Sequence, residues 1–362
     1  MAPSVFHIVS HRSSEYRAVV MVVFSVMRPT LGRRRDNCVS VFAATGQGNW
    51  PGDPSEGENR NVMRTPDLPL PGHGATLQRF DGLAALGRAD LVTARLGEGH
   101  ADAVAIRAEL GDAEPDPAGR RWGVWAAAPS SVRAEHTPAG WRLTGDRPWC
   151  SGAAWCTHAL VTAVADDGPR LFAVRNEAPH AVPVDGTWPA IGMAGSDSRT
   201  VRFTDCPARP VGDPDAYTSR PGFWHGGIGV AACWYGGALG IADTLSAAAR
   251  RKDLDPHGLA HLGAVDVALG SARAMLADAA ATIDAHPSAD AHRLALRVRA
   301  AVEASATEVI SRAGRMLGAG PLCRDTEHAQ RVADLTVYLR QSHAEADLEQ
   351  LGRLIAEGEQ PW

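Results

Sequence analysis

The sequence predicts an α+β fold in which a short N-terminal helical segment (67–115), a central antiparallel β-domain (120–212) and a C-terminal four-helix bundle (220–358) follow one another. Three observations predict it. Apolar residues recur at helical spacing over 76–110, the period shortens to β-rich runs from Trp122 to about Asp205, and helical spacing returns after Arg220. A chain of 362 residues can bury a core of this kind and divide into more than one domain.

Residues 1–66 precede this pattern with no sustained period, and 46–61 reads as a disordered linker. The stretch is expected to be disordered or non-native, with Met63, which opens MRTPDLPLPG, as the natural start. The apolar run AVVMVVFSVM (18–27) is about half the roughly twenty residues that a helical membrane span needs. Glu15 lies between Arg12 and Arg17, and RPTLGRRR follows where a secretory signal would have small residues. The expectation is therefore a cytoplasmic chain with no membrane partner.

Leu77, Phe80, Leu83, Ala84 and Leu86, then Leu91, Ala94 and Leu96, then Ala103, Val104, Ile106 and Leu110 predict two or three short helices. GDAEPDPAGRR breaks that pattern. WGVWAAA, GWRLTGDRPWCS, HALVTAVA, PRLFAV and RTVRFTDC follow, separated by the Gly, Pro and Asp residues that antiparallel hairpins use. Helical spacing over 226–250, 258–285, 288–316 and 326–357, with short connections, predicts an up-and-down bundle. A net charge of -5 with scattered Arg residues offers no face for nucleic acid. The six cysteines form no CxxC pair and no His/Cys cluster, so neither a metal site nor a disulfide framework is expected.

GWRLTGDRPWCSGA (140–153) resembles the segment of acyl-CoA dehydrogenases in which a strand ends in Trp, any residue, then Thr or Ser, followed closely by Gly. The resemblance implies that Trp149 packs against a flavin ring and that the Ser151 hydroxyl bonds near the ring's reactive nitrogen. The chemistry is reasonable on its own terms, because an isoalloxazine needs a flat apolar wall and a few fixed polar partners. WPAIGMAGSDSRTVRFTDCPA (188–208) resembles the same family's later β-segment, in the expected order and spacing. Arg251 in RRKDLD matches the bundle arginine that reaches the FAD of a neighbouring subunit, with Leu254 replacing its usual aromatic follower. GRMLGAGPL resembles the family's Gln-x-x-Gly-Gly turn, with Arg315 in place of Gln, Gly318 retained and Ala319 replacing the second Gly. An arginine there can meet a pyrophosphate. The resemblance covers 69–351 and implies FAD, a small-molecule substrate such as an acyl-CoA, and a homodimer or homotetramer, with a hetero-oligomer as the alternative.

The family's chemistry needs a glutamate beside the ring. Its usual place falls on Leu339, Arg340 and Gln341, and the alternative place, WHGGIGVAACWYGGALG (224–240), contains no Asp or Glu. The family's Thr-Glu-Pro loop is reduced to AAAPSSVRAE, with Ala127 and Ala128 at the Thr and Glu positions and Ser130 and Ser131 as partial substitutes. About two helices' worth of chain is missing between Leu110 and Trp122. His225, His328 and His343 are the candidates to move a proton in place of the glutamate. His225 is chosen as the catalytic residue, because Gly226 and Gly227 would let backbone approach a ligand. The expected function is an FAD-dependent oxidoreductase acting on an acyl thioester or related carbonyl compound. The alternatives are a flavin monooxygenase of the same fold, which needs no carboxylate base, and a non-catalytic subunit that completes a partner's flavin site.

Overall fold

The computed structural model describes residues 66–358 apart from positions 116, 118, 129 and 252. The expectations for the N-terminal extension and for Met63 lie outside the described residues. The fold is mixed helix and sheet, with helices on either side of the strands in sequence.

α1 (Thr76–Ala89) and α2 (Leu91–Glu109) meet at Asp90, whose extended backbone ends the first helix and whose carboxylate accepts the Thr93 N–H to cap the second. α1 lies directly on α4 (Gly222–Arg251), which the four-residue α3 (Ala216–Ser219) precedes. A Cβ on Gly236 would fall 2.1 Å from the Ala84 carbonyl oxygen, so only glycine allows that approach. Phe80, Leu83, Ile228, Trp234, Ile241 and Leu335 belong to the core that these helices build with α5 (Pro256–Ala285) and α6 (His292–Leu317).

α4 and α5 each contain an 18-residue window of mean hydropathy 1.2. In α4 72% of that window is buried, as a core helix requires, whereas in α5 17% is, which leaves Leu259 and Val267 exposed.

The fourth predicted helix is broken. A short α7 (Ala319–Arg324) precedes α8 (Thr326–Tyr338), a 3-10 turn occupies Leu339–Gln341, and α9 (Glu345–Glu357) follows. Ala344 has φ 49°, His343 N–H donates to the Asp347 carboxylate at 3.1 Å, and these local bonds outcompete a continuous helix. α8 packs on α4, while α9 packs on α6.

The strands are β1 (Trp122–Trp125), β2 (Arg133–Thr137), β3 (Gly140–Arg147), β4 (His158–Ala165), β5 (Gly168–Arg175), β6 (Ala181–Pro183) and β7 (Val201–Pro210). Antiparallel pairing joins β2 to β3, β3 to β7, β4 to β5, and both β5 and β6 to β7. β2 also touches β4 at Arg133↔Val164, so the path β4-β2-β3-β7-β5 returns to β4 and encloses Leu143, Val161, Phe172 and Phe203.

The antiparallel expectation needs correction at β4, where β1 runs parallel from Trp122↔His158 to Trp125↔Val161 and β2 meets it parallel at Arg133↔Val164. The intervening β2–β3 hairpin serves as the long crossover that a parallel pair needs. β2 (RAEHT) and the short β6 were missing from the sequence reading, because polar residues mask the alternation of the first and three residues carry no period in the second.

Candidate functional site

β3 ends at Arg147, so the run that reads as a strand to Ser151 becomes a turn. Trp149 has φ 64°, an unusual region for a bulky residue that costs on the order of 1–3 kcal/mol unless its surroundings impose it. They do impose it. Cys150 N–H donates to the Arg199 carbonyl at 3.0 Å, Gly152 N–H to that of Ser196 at 2.7 Å and Ala153 N–H to that of Asp197 at 3.1 Å. From the far side Asn176 Nδ2 donates to the Ala153 and Cys156 carbonyls, each at 2.8 Å. The result is an indole held 61% exposed, edge-on to Trp188 at 6.0 Å, with Ile191 83% exposed nearby in sequence to Trp188.

The later motif forms the floor of this turn. Met193 and Asp197 both take left-handed backbone around a 3-10 turn (Ala194–Ser196). Gly192 sits against the Ala333 carbonyl, and the Met193 N–H donates to the buried Asp334 carboxylate, which fastens the motif to α8. Three hydroxyls then run in a line. Ser151 Oγ lies 2.8 Å from Ser198 Oγ, Ser198 Oγ lies 2.9 Å from Ser196 Oγ, and Ser196 Oγ donates to the Met193 carbonyl at 2.8 Å.

A narrow cleft with a volume of about 10 Å³ lies beside Ser151, between α2 (Arg95, Leu96, Gly99) and β1 (Trp122, Gly123, Val124), and Cys156 also lines it. Arg95 Nη1 donates to Glu98 Oε2 at 2.6 Å, while Arg95 Nε is buried and has no partner. Burial is the largest influence on Arg95 and opposes its charge, but Glu98, Tyr338 and Cys233 together outweigh it, and the Arg95 pKa is raised. Glu98, 4% exposed, goes the other way, because burial and then the neighbouring Asp102 push its carboxyl up to about 7 against the pull of Arg95. Cys156 is a poor nucleophile here, its thiol pushed up to about 12 by burial.

Of the residues singled out from sequence, Trp149 and Ser151 share this turn; the others lie elsewhere. His225 is buried in the first turn of α4, beside Glu109 and Arg220 and not among the residues lining the cleft. Glu109 and Arg95 are separated by about 21 Å along α2 at 1.5 Å per residue. Burial lowers the His225 pKa and its Nε2 has no partner, so the ring is neutral.

Arg251 ends α4, Arg315 lies in the last turn of α6, and Gly318, at φ 66°, caps that helix. The ring of His292 stacks on Trp224 at 4.0 Å and Arg299 donates to the Gly227 carbonyl at 2.7 Å, which puts the starts of α4 and α6 together. Their ends therefore lie together too, and Arg251, Arg315 and Gly318 all stand exposed there.

His328 is buried against Thr244 of α4 at 3.2 Å rather than at the surface, and His343 is exposed, 3.1 Å from the Asp347 carboxylate. The 339–341 turn holds Leu339 buried and Arg340 paired with Glu303 at 2.6 Å. The Ser130 and Ser131 hydroxyls are both committed to backbone carbonyls, of Thr162 and Asp146.

No family model and no curated protein matches the chain. Solved structures do. The dibenzothiophene monooxygenase TdsC from Paenibacillus sp. A11-2 is 20% identical, over 77% of this chain and 82% of that one, with a TM-score of 0.65. TdsC has also been solved with FMN bound. KijD3, in complex with FMN and dTDP-3-amino-2,3,6-trideoxy-4-keto-3-methyl-D-glucose, is 20% identical over 79% of this chain and 82% of that one, with a TM-score of 0.66. The nitrososynthase from Micromonospora carbonacea var. africana is 20% identical over 82% of this chain and 86% of that one, with a TM-score of 0.67. At these identities the likeness is one of fold, and function must be argued from the site.

Arg95, Glu98, Asn176 and Asp334 are the residues that sequence reasoning missed. Arg95 and Glu98 are three apart on a helix, the spacing of a solvated ion pair. They are buried because α2 packs against α1, α4, β1 and the 3-10 turn at once. Ser196 and Ser198 were visible in the GMAGSDS run but carried no stated role.

Proposed function

We propose that the chain is a flavin-dependent monooxygenase. One observation carries the reading: the exposed Trp149 and the Ser151 relay are built and braced, while the 339–341 turn and residues 224–240 of α4 hold no carboxylate to abstract a proton, and Asp243 further along α4 is paired with Arg88. The fold shared with TdsC, KijD3 and the nitrososynthase supports it.

The residues fit a flavin. Trp149 offers an open aromatic face in a conformation that six neighbouring hydrogen bonds impose or brace. The cleft, at about 10 Å³, is far below the roughly 300–1,000 Å³ of ligand pockets, so the ring would lie outside it, against the exposed Trp149. A bound flavin supplies the redox chemistry, passing electrons in its reduced form to dioxygen. The chain's part would be to hold the ring on Trp149 and to offer Ser151 as a fixed polar partner beside it.

FMN is the form to test first, since TdsC and KijD3 bind it; FAD is the form that the Arg251 and Arg315 matches imply. A cytoplasmic homodimer or homotetramer accounts for those exposed residues and for the uncovered Leu259 and Val267 of α5.

The test is an absorption titration of the purified chain with FMN and with FAD, followed by anaerobic addition of acyl-CoA thioesters. Flavin that binds, stays oxidised with every thioester and is reduced by a separate flavin reductase is the expected result. Bleaching by a thioester would overturn the monooxygenase reading in favour of dehydrogenation.

A further inference from the structure

The segment that carries Trp188 is gripped from two sides. On one side α8 presents Gln330 and Asp334, four residues apart and therefore on one face of the helix. Gln330 Nε2 donates to the Ile191 carbonyl at 3.3 Å and to the Asp334 carboxylate at 2.8 Å, and the same carboxylate oxygen accepts the Met193 N–H. Gly192 lies between those two contacts. A Cβ there would meet the Ala333 carbonyl oxygen at 2.2 Å, so the backbone rests directly on the helix.

On the other side the Met193 carbonyl accepts the Trp188 indole N–H at 3.1 Å and the Ser196 hydroxyl at 2.8 Å. Met193 thus joins α8 to Trp188, with its N–H held by the helix and its carbonyl holding the indole. An indole has one N–H, and a half-buried one spends it on a partner that fixes the ring's direction.

The direction so fixed makes a corner with Trp149. The two ring planes stand at 85° with centroids 6.0 Å apart, and the Trp149 ring is the exposed one. A planar ring laid on Trp149 is bounded on one side by Trp188, and aromatic planes at this angle and spacing attract edge to face. Ile191, two residues past the Gln330–Met193 grip's aromatic arm in Pro189 and Ala190, stands exposed on the same segment.

We propose that Trp188 is a second wall of the ring site and that Asp334, acting through Met193, is its positioning residue. The inference rests on the flavin reading above and adds a wall to that site. It makes the site one for a flat ring system wide enough to lie on Trp149 and to meet Trp188 at its edge.

The experiment measures FMN affinity by fluorescence titration, and the near-ultraviolet circular dichroism of the flavin-free chain, for the wild type, Trp188→Leu, Asp334→Leu, the double variant and Asp334→Asn. Trp188→Leu should weaken FMN by about tenfold, the upper worth of one aromatic contact. Asp334→Leu should weaken it by about as much and should change the indole dichroism, because it leaves the Met193 N–H without its acceptor. Asp334→Asn should restore both readouts, since its amide oxygen can still accept that N–H. Where Trp188 is already Leu, Asp334→Leu should add less than about twofold, because its effect runs through the residue already removed. Should Asp334→Leu fail to fold, Gln330→Ala, whose side chain is exposed, loosens the same grip at Ile191 and takes its place in the comparison. Unchanged FMN affinity in Trp188→Leu, or losses that multiply in the double variant, would overturn the inference and leave Trp149 as the whole of the aromatic wall. Binding of no flavin by the wild type would sink the flavin reading and this inference with it.

Discussion

The two regions matched to one cofactor site are built in opposite ways. At the α2 cleft, Trp149 and Ser151 are fixed by backbone bonds to the 196–199 segment, by Asn176 and by a hydroxyl relay anchored on α8 through Asp334. At the far end of the long helices, Arg251 and Arg315 stand exposed on last turns, and a Cβ on Gly318 would meet nothing within 4 Å. A strained residue such as Trp149 persists only where its surroundings over-determine it. The turn at the cleft is braced by its own chain, whereas the far residues are exposed surface.

The largest effect comes from disturbing the close approach of α4 to α1. Gly236→Ala places a Cβ against the Ala84 carbonyl and should cost about 3 kcal/mol in a urea melt. A loss below about 0.5 kcal/mol would show that α1 and α4 do not approach this closely.

A second effect belongs to the cleft alone. Glu98 has a folded-state pKa raised from 4.5 to about 7, so folding favours its protonated form. Its contribution to stability is fully present below about pH 4.5 and is lost as pH rises through about 7, a change of about 3 kcal/mol. Glu98→Gln should flatten the stability profile across that window, measured as urea midpoints at successive pH values, while Arg251→Ala should leave its shape intact. An unchanged slope in Glu98→Gln would place the carboxyl in water.

The sequence made the cleft half more legible than the far half. GWRLTGDRPWCSGA is local: turn, indole and hydroxyl lie within a few residues, and their relation follows from the strand that delivers them. What supports them was not local. Asn176, Asp334 and Arg95 come from three distant elements and bear on the turn only after the sheet closes and α8 docks.

The order of helices and strands was readable from the change in period, and the mixed α+β class with it. The parallel β1–β4 pair and the break after Tyr338 were not, because both depend on long-range pairing or on a few local bonds without Gly or Pro to mark them. His225 drew attention for its aromatic and glycine neighbours, and those neighbours serve helix packing. Glu98 drew none, because an Arg three residues away is the ordinary sign of a surface.

Trp149→Gly separates function from stability at the turn. Glycine accepts φ 64° without strain, so thermal stability should hold or rise by about 1 kcal/mol while FMN affinity falls about tenfold with the aromatic wall. If affinity and stability fell together, the indole would be a structural plug and the exposed face would have another purpose. Arg340→Ala, which removes a surface pair with Glu303, is the matching control and should alter neither.

The smallest effect is expected at the far end, and it should depend on concentration. Arg315→Ala removes an exposed side chain in the last turn of α6, so the stability of the single chain should shift by less than about 0.5 kcal/mol. If that arginine meets a flavin held by another copy, FAD affinity should fall only at protein concentrations where sedimentation shows an oligomer, and the variant's monomer should bind as the wild-type monomer does. A loss of affinity already present in the monomer would bring Arg315 to its own chain's cleft and contradict the placement of the ends of α4 and α6 by Trp224, His292 and Arg299. Unchanged affinity at every concentration would leave the cleft as the whole of the site and make FMN, which lacks the second nucleotide, the cofactor that the chain is built to hold.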